Sequence, residues 1–207
     1  MRSTFLLIAW LALAAAPPRH VSEGTTRADT IAEAAWRPPE PTRLETFESA
    51  DFRVTLPRAF AVRRREERET PWGKATTEFA AGTASGITYV IQATSLLDGR
   101  EIPASQIEKT KTAFAGSHKC SVETVRAPAL RTADGRTWPQ VRFKGSCAAP
   151  GDYEILSLIA NGRWYQLQVT NDPLAPAGTT EPGREKAPAS DLRKALTWLA
   201  ERIRFTR

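Results

Sequence analysis

The sequence predicts an α+β fold, an antiparallel β-sheet flanked by helices packed on it. Three observations predict it. Apolar residues in the middle of the chain alternate at the period of a strand. Asn161-Gly162 sits between two apolar runs, the pattern of a two-residue hairpin turn. Two other stretches, 104–116 and 190–203, change to the period of a helix.

The elements follow in chain order. Arg2 precedes an apolar run from Phe5 to Ala16, which is 12 residues long. A membrane span needs about 20. The run ends in small residues, and both Ala12-Leu13-Ala14 and Ala14-Ala15-Ala16 fit the A-x-A cleavage pattern. Cutting after Ala14 avoids leaving Pro17 at the new terminus. Residues 1–16 therefore read as a signal peptide, with no lipobox cysteine and no twin arginine after it. The expectation is an exported protein, periplasmic or extracellular, with no transmembrane segment once the signal is removed.

Residues 17–45 contain "APPRH" and "RPPEP" and few large apolar side chains, so they read as a proline-rich flexible tether. A single domain is expected over 46–207, interrupted by a mobile loop at 171–190 that holds four prolines and two glycines. "DFRVTLP" alternates Phe52, Val54 and Leu56 before a proline, which makes a strand. "KATTEFA" and "GITYVIQATS" continue the sheet, the latter through Ile87, Tyr89 and Ile91. "RRREERE" at 63–69 mixes signs within a few positions, as on the solvated side of a strand or loop. "ASQIEKTKTAFAG" reads as a short amphipathic helix, with Ser105 and Glu108 as a capping box, Ile107 and Phe114 on one face and Gly116 as its end. In "YEILSLIANGRWYQLQVT" a two-residue turn pairs Leu158 with Tyr165 and Leu156 with Leu167, giving one apolar face. "SDLRKALTWLAERI" closes the domain as a helix with Ser190 as N-cap and a stripe of Leu192, Ala195, Leu196, Leu199 and Ile203.

The only two cysteines, Cys120 and Cys147, bracket a segment that folds back on itself if it turns through Thr132-Ala133-Asp134-Gly135. Arg131 then opposes Arg136, and Cys120 opposes Cys147. The same register pairs Ser121 with Ser146 and Glu123 with Lys144 on one face. On the other face it pairs Val122 with Gly145 and Thr124 with Phe143. Pro128 and Pro139 also fall opposite each other. A cysteine pair in an exported chain is expected as a disulfide, and closing such a loop stabilises by about 3–4 kcal/mol in the chain-entropy model. His118 beside Cys120 suggests a Cys–His site, but two cysteines and one histidine do not close a zinc site. It reads as a surface or capping residue.

The formal net charge of +6 falls to +5 when Arg2 leaves with the signal. Such a balance suits acidic partners, yet export and the interspersed signs argue against nucleic acid. His20 lies in the tether, so no histidine–carboxylate pair is evident for a serine hydrolase, and no G-x-S-x-G, H-E-x-x-H, P-loop or dinucleotide fingerprint occurs. Glu78, Asp98, Glu101 and Glu154 are the carboxylates that would have to meet for glycoside cleavage; each reads more simply as an outward strand or loop residue. No metal site and no cofactor is expected. Trp72, Trp138 and Trp164 are either core or a ring surface for stacking sugars or anchoring a partner.

The order "F-x-V-x-L-P-x-x-F" (Phe52 to Phe60), helix, "DGRTWPQVRFKG", "YEILSLIANGRWYQLQV" and "LRKALTWLAERIRF" resembles the PsbP-like superfamily over residues 46–207. That superfamily includes extrinsic photosystem proteins, bacterial DcrB-type proteins and the yeast Ran-binding nuclear import factor. The resemblance implies an α-β-α sandwich, usually non-enzymatic, that docks on larger assemblies or membranes. It transfers no functional residue. The expected function is an exported, non-enzymatic accessory module that binds a protein or cell-envelope partner. The alternative is a sugar- or small-ligand-binding protein.

Overall fold

The computed structural model describes residues 36–58, 62–70, 72–109, 111–112, 115, 120–146, 151–171 and 187–206. The strands are β1 (Leu44–Glu48), β2 (Phe52–Pro57), β3 (Val62–Thr70), β4 (Gly73–Ala84), β5 (Ile87–Leu96), β6 (Ser121–Thr124), β7 (Gln140–Ser146), β8 (Asp152–Ala160), β9 (Arg163–Thr170) and β10 (Ile203–Phe205). The helix α1 spans Ala189–Ala200. All strand pairs are antiparallel. A seven-stranded sheet has the order β3-β4-β5-β9-β8-β7-β6, and a three-stranded sheet has the order β1-β2-β10.

This corrects the expected α+β architecture. The fold is β-rich, two antiparallel sheets with one α-helix described along its whole length, and not a sheet flanked by helices in the manner of an α-β-α sandwich. Two local causes account for the difference. The stretch 104–116 begins as a 3-10 turn over Ala104–Gln106, entered from Pro103 with no side-chain cap bond, so Ser105 lies inside the turn instead of capping a helix. Lys109, Lys111, Thr112 and Ala115 are helical, while Phe114 and Gly116 lie outside the described residues. At the other end, α1 starts after Pro188 and not at Ser190, and it stops at Ala200. Ile203 therefore belongs to β10, where Ile203 and Phe205 pair with Val54 and Phe52 of β2. A three-residue strand after a helix carries no periodic signal of its own, which is why it reads as the helix's last turn.

The alternation within strands decides the core. Ile87, Tyr89 and Ile91 of β5, Leu156 and Leu158 of β8, and Tyr165, Leu167 and Val169 of β9 face one side of the large sheet. There they meet Leu192, Leu196 and Leu199 of α1 together with Phe52, Val54 and Phe205 of the small sheet. The β8–β9 hairpin has the register read from the sequence, Leu158 opposite Tyr165 and Leu156 opposite Leu167. Its turn residues Asn161 and Gly162 have φ of 51° and 70°, the left-handed pair that matches strand twist. On the opposite face a second cluster gathers Ala75, Leu96, Val141, Phe143, Ile155 and Ile159 under Ile102 and Ile107 of the β5–β6 connection.

The described end of the segment read as a loose tether carries contacts. Trp36 donates from Nε1 to the Tyr89 hydroxyl at 3.2 Å, and residues 41–43 make a 3-10 turn into β1. The β6–β7 register also matches the sequence reading, Ser121 to Ser146, Val122 to Gly145, Glu123 to Lys144 and Thr124 to Phe143. The ladder is short, however. It ends where the Val125 N–H donates to Arg142 O, and the turn closes with Thr132 N–H on Arg136 O, one residue off the expected Arg131–Arg136 pairing. Between them Leu130 bonds the Gln140 side chain in both directions at 3.0 Å, so Pro128 and Pro139 do not face each other in a ladder.

The two sheets approach closely at Gly82. A Cβ there would lie 2.0 Å from the Pro57 carbonyl oxygen, a backbone atom of β2, which is paired with β1. Only glycine lets β2 cross β4 this closely. Gly82→Ala is expected to destabilise the domain by about 3 kcal/mol, read as a lower urea midpoint with an unchanged slope; a midpoint equal to wild type would contradict the close approach.

Candidate functional site

An open cleft of about 1000 Å³ lies between the β6–β7 edge and the start of α1. Strand register places Glu123 and Lys144 beside each other at 3.0 Å. Lys144 is in turn opposite Glu154 of β8. Lys111 reaches over the edge and donates to the Thr124 hydroxyl at 2.7 Å, Arg126 follows β6, and Arg193 comes from the first turns of α1. Four cations thus line the cleft against two carboxylates, Glu123 and Glu154.

Both carboxylates are already engaged. Glu123 holds Lys144, and Glu154 receives Arg142 Nε at 2.7 Å and Nη2 at 2.5 Å. The Arg142 and Glu154 side chains are each 7% exposed, so removing either would strand a charge in low dielectric. Arg142 also donates to the Arg193 carbonyl at 3.5 Å, which ties β7 to α1. Among the described residues no ion pair involves Lys111, Arg126 or Arg193. Among the described residues the cleft therefore presents net positive charge, and its chemistry is attraction of anionic groups.

A second polar assembly lies where the sheets join. Asp51, in the β1–β2 turn, is buried; its carboxylate accepts from the Tyr165 hydroxyl at 2.7 Å and pairs with Arg163. Arg163 lies 3.7 Å from Glu78 of β4, and Glu78 accepts from Ser49 Oγ at 2.5 Å. Burial opposes the charge on Arg163, but the Asp51 hydrogen bond and the neighbouring negative groups outweigh it and raise its pKa. Burial, reinforced by the Asp51 bond, pushes the Tyr165 hydroxyl well up. This network is interior, and what it accomplishes is attachment of the small sheet to the large one.

The aromatic residues do not share one surface. Trp72 and Trp164 meet edge to face at 5.7 Å on the second cluster's side of the sheet. Their indole N–H groups are taken by Gln106 at 3.2 Å and Ser157 at 2.7 Å. Trp138 sits in the other cluster, 5.4 Å from Phe205. All three are half-buried and serve packing. The carboxylates considered for glycoside cleavage are dispersed as well. Glu78 and Glu154 lie on β4 and β8 with two strands between them, roughly 14 Å across the sheet, beyond the span that paired carboxylates use. Asp98 pairs with Arg100 at 2.7 Å at the surface, and Glu101 is exposed. The described residues contain no cluster of three or more metal-ligating side chains and no helix long and apolar enough to cross a membrane.

No family model matches the chain, and no curated protein matches it. The resemblance to the PsbP-like superfamily thus rests on the quoted segments alone, and the site stands on its own geometry. The sequence reading missed that site because its cations come from four separate segments. The Glu123–Lys144 pairing was the one trace visible beforehand.

Cys120 is disulfide-bonded, and no described cysteine is free. Cys147 lies outside the described residues, as do His20 and His118. Since β6 and β7 pair Ser121 with Ser146, the next position outward on each strand is a cysteine. Denaturing, non-reducing thiol labelling of the protein is expected to find no free thiol; two labelled cysteines would break the Cys120–Cys147 assignment.

Alkaline stability tests the buried hydroxyls. Burial pushes the Tyr89 pKa up from 10.0 to about 12, and Tyr165 moves the same way. Below pH 10 both states keep these protons. Above it only the unfolded chain releases them, so folding free energy falls as pH rises from 10 towards 12. The slope is up to about 1.4 kcal/mol per pH unit for each tyrosine. Urea midpoints measured across this window should drop steadily, and a flat profile would show that these hydroxyls are not buried.

Proposed function

We propose that the protein is an exported, non-enzymatic interaction module whose basic cleft holds an acidic segment of a protein or cell-envelope partner. The observation that carries the reading is the charge imbalance of the cleft: Lys111, Arg126, Lys144 and Arg193 against two carboxylates already held by Lys144 and Arg142. An open, polar cleft of this volume suits an extended chain better than a small apolar ligand, for which enclosed and largely apolar walls are usual. The basic balance of the whole chain favours the same class of partner. Export rests on the Arg2-led apolar run over residues 5–16 and its A-x-A ending. The sugar-binding alternative has less support, because Trp72 and Trp164 are separated from Trp138 by the sheet and their indole N–H groups are engaged.

Titration with poly-glutamate, and with a neutral polymer of similar length, tests the cleft. The wild-type chain should bind poly-glutamate in a salt-sensitive manner. The double variant Lys111→Glu/Arg126→Glu should lose at least about tenfold in affinity, or roughly 1.4 kcal/mol. Equal binding by wild type and variant, with both folded by circular dichroism, would remove the cleft from consideration.

A further inference from the structure

The two edges of the large sheet differ in kind. β6 is four residues long, with Lys111 bonded across its end and a half-cystine beside it. β3 is nine residues long and pairs with β4 in nine consecutive positions from Val62–Ala81 to Thr70–Gly73, without a bulge. It contains no proline, and its outer side has no partner strand among the described residues. Long, regular edges invite another strand unless charge repels it. Here the charge is divided along the strand: Arg63, Arg64 and Arg65 come first, then Glu66, Glu67 and Glu69 with Arg68 among them. A same-sign edge rejects a second copy; an edge split this way attracts one that runs antiparallel, since the arginine half of each meets the glutamate half of the other.

We propose that two copies of this chain associate through β3, antiparallel about a two-fold axis at Glu67, joining their large sheets into one. The register follows from the hairpin. The two-residue connection makes Thr70–Gly73 a bonded pair, so the backbone groups of Arg65, Glu67 and Glu69 point to the free edge. Pairing these residues about Glu67 sets Arg65 opposite the second copy's Glu69 and Glu66 opposite its Arg68, and the two-fold repeats both pairs. Moving the axis to Glu66 would set Arg64 against Arg68. The register chosen also brings Arg68 a second carboxylate, in addition to Glu66 of its own strand. Its Nε is buried without a hydrogen-bond partner, and its exposed neighbours Arg64 and Glu66 already pair with each other at 3.2 Å. The cost is a Glu67–Glu67 contact on the axis, with each Arg65 diagonal to it.

Sedimentation equilibrium of the full exported chain tests this. A dimer is expected at low ionic strength, weakening at least tenfold in about 1 M salt, where charges separated by more than about 3 Å are screened. Arg65→Glu and Glu69→Arg should each give monomer, and the double exchange Arg65→Glu/Glu69→Arg should restore the dimer, which a mere folding defect would not do. Glu67→Gln should tighten association by relieving the like-charge contact. A monomeric wild type, or a dimer indifferent to the single reversals, would overturn the proposal.

Discussion

The fold depends on a buried carboxylate at the junction of its two sheets. Asp51 occupies the turn between β1 and β2, where its backbone carbonyl accepts from the Thr206 N–H just beyond β10. Its side chain meanwhile takes the Tyr165 hydroxyl and the Arg163 guanidinium from the centre of the large sheet. One residue thus fixes all three strands of the small sheet against β9. An ion pair in such a place is a poor source of net stability, because its desolvation offsets most of its attraction. Its value lies in position: an unpaired Asp51 would be so costly that alternative packings of the small sheet are excluded.

How much of this was legible beforehand follows from the range of the signals. The β8–β9 and β6–β7 registers could be read because each is fixed by a turn or by residue pairs close in sequence, and alternation assigned the faces of β5 and β2. The β-rich architecture could not. Ser105 and Glu108 have the letters of a capping box, but the chain leaves Pro103 into a tight turn, and tertiary contacts at Ile107 decide the outcome. β10 is three residues long, too short for a period, and it exists only because β2 offers an edge. Asp51 looks like any turn aspartate; its partner Tyr165 lies 114 positions away.

The cleft was hidden for the same reason. Lys111, Arg126, Lys144 and Arg193 are ordinary surface letters in four different elements, and only the folding of α1 over the β6–β7 edge makes them neighbours. "RRREERE" is the opposite case. It was visible at once as a mixed run, but its meaning depends on whether β3 is an interior or an outer strand, which local sequence does not encode. At an outer strand, the order of the charges matters more than their sum.

The small sheet also bears on timing. β2 needs β1 from just before it and β10 from the far end of the chain; Thr206 and Ala50, which close the arrangement, are 156 positions apart. A nascent chain emerging from its N-terminal side would therefore present Phe52, Val54 and Leu56 long before Ile203 and Phe205 exist to cover them. Non-local pairing of this kind slows folding, and it leaves the junction around Asp51 unsealed until residues 203–206 are in place. Until β10 arrives, the second edge of β2 stays open.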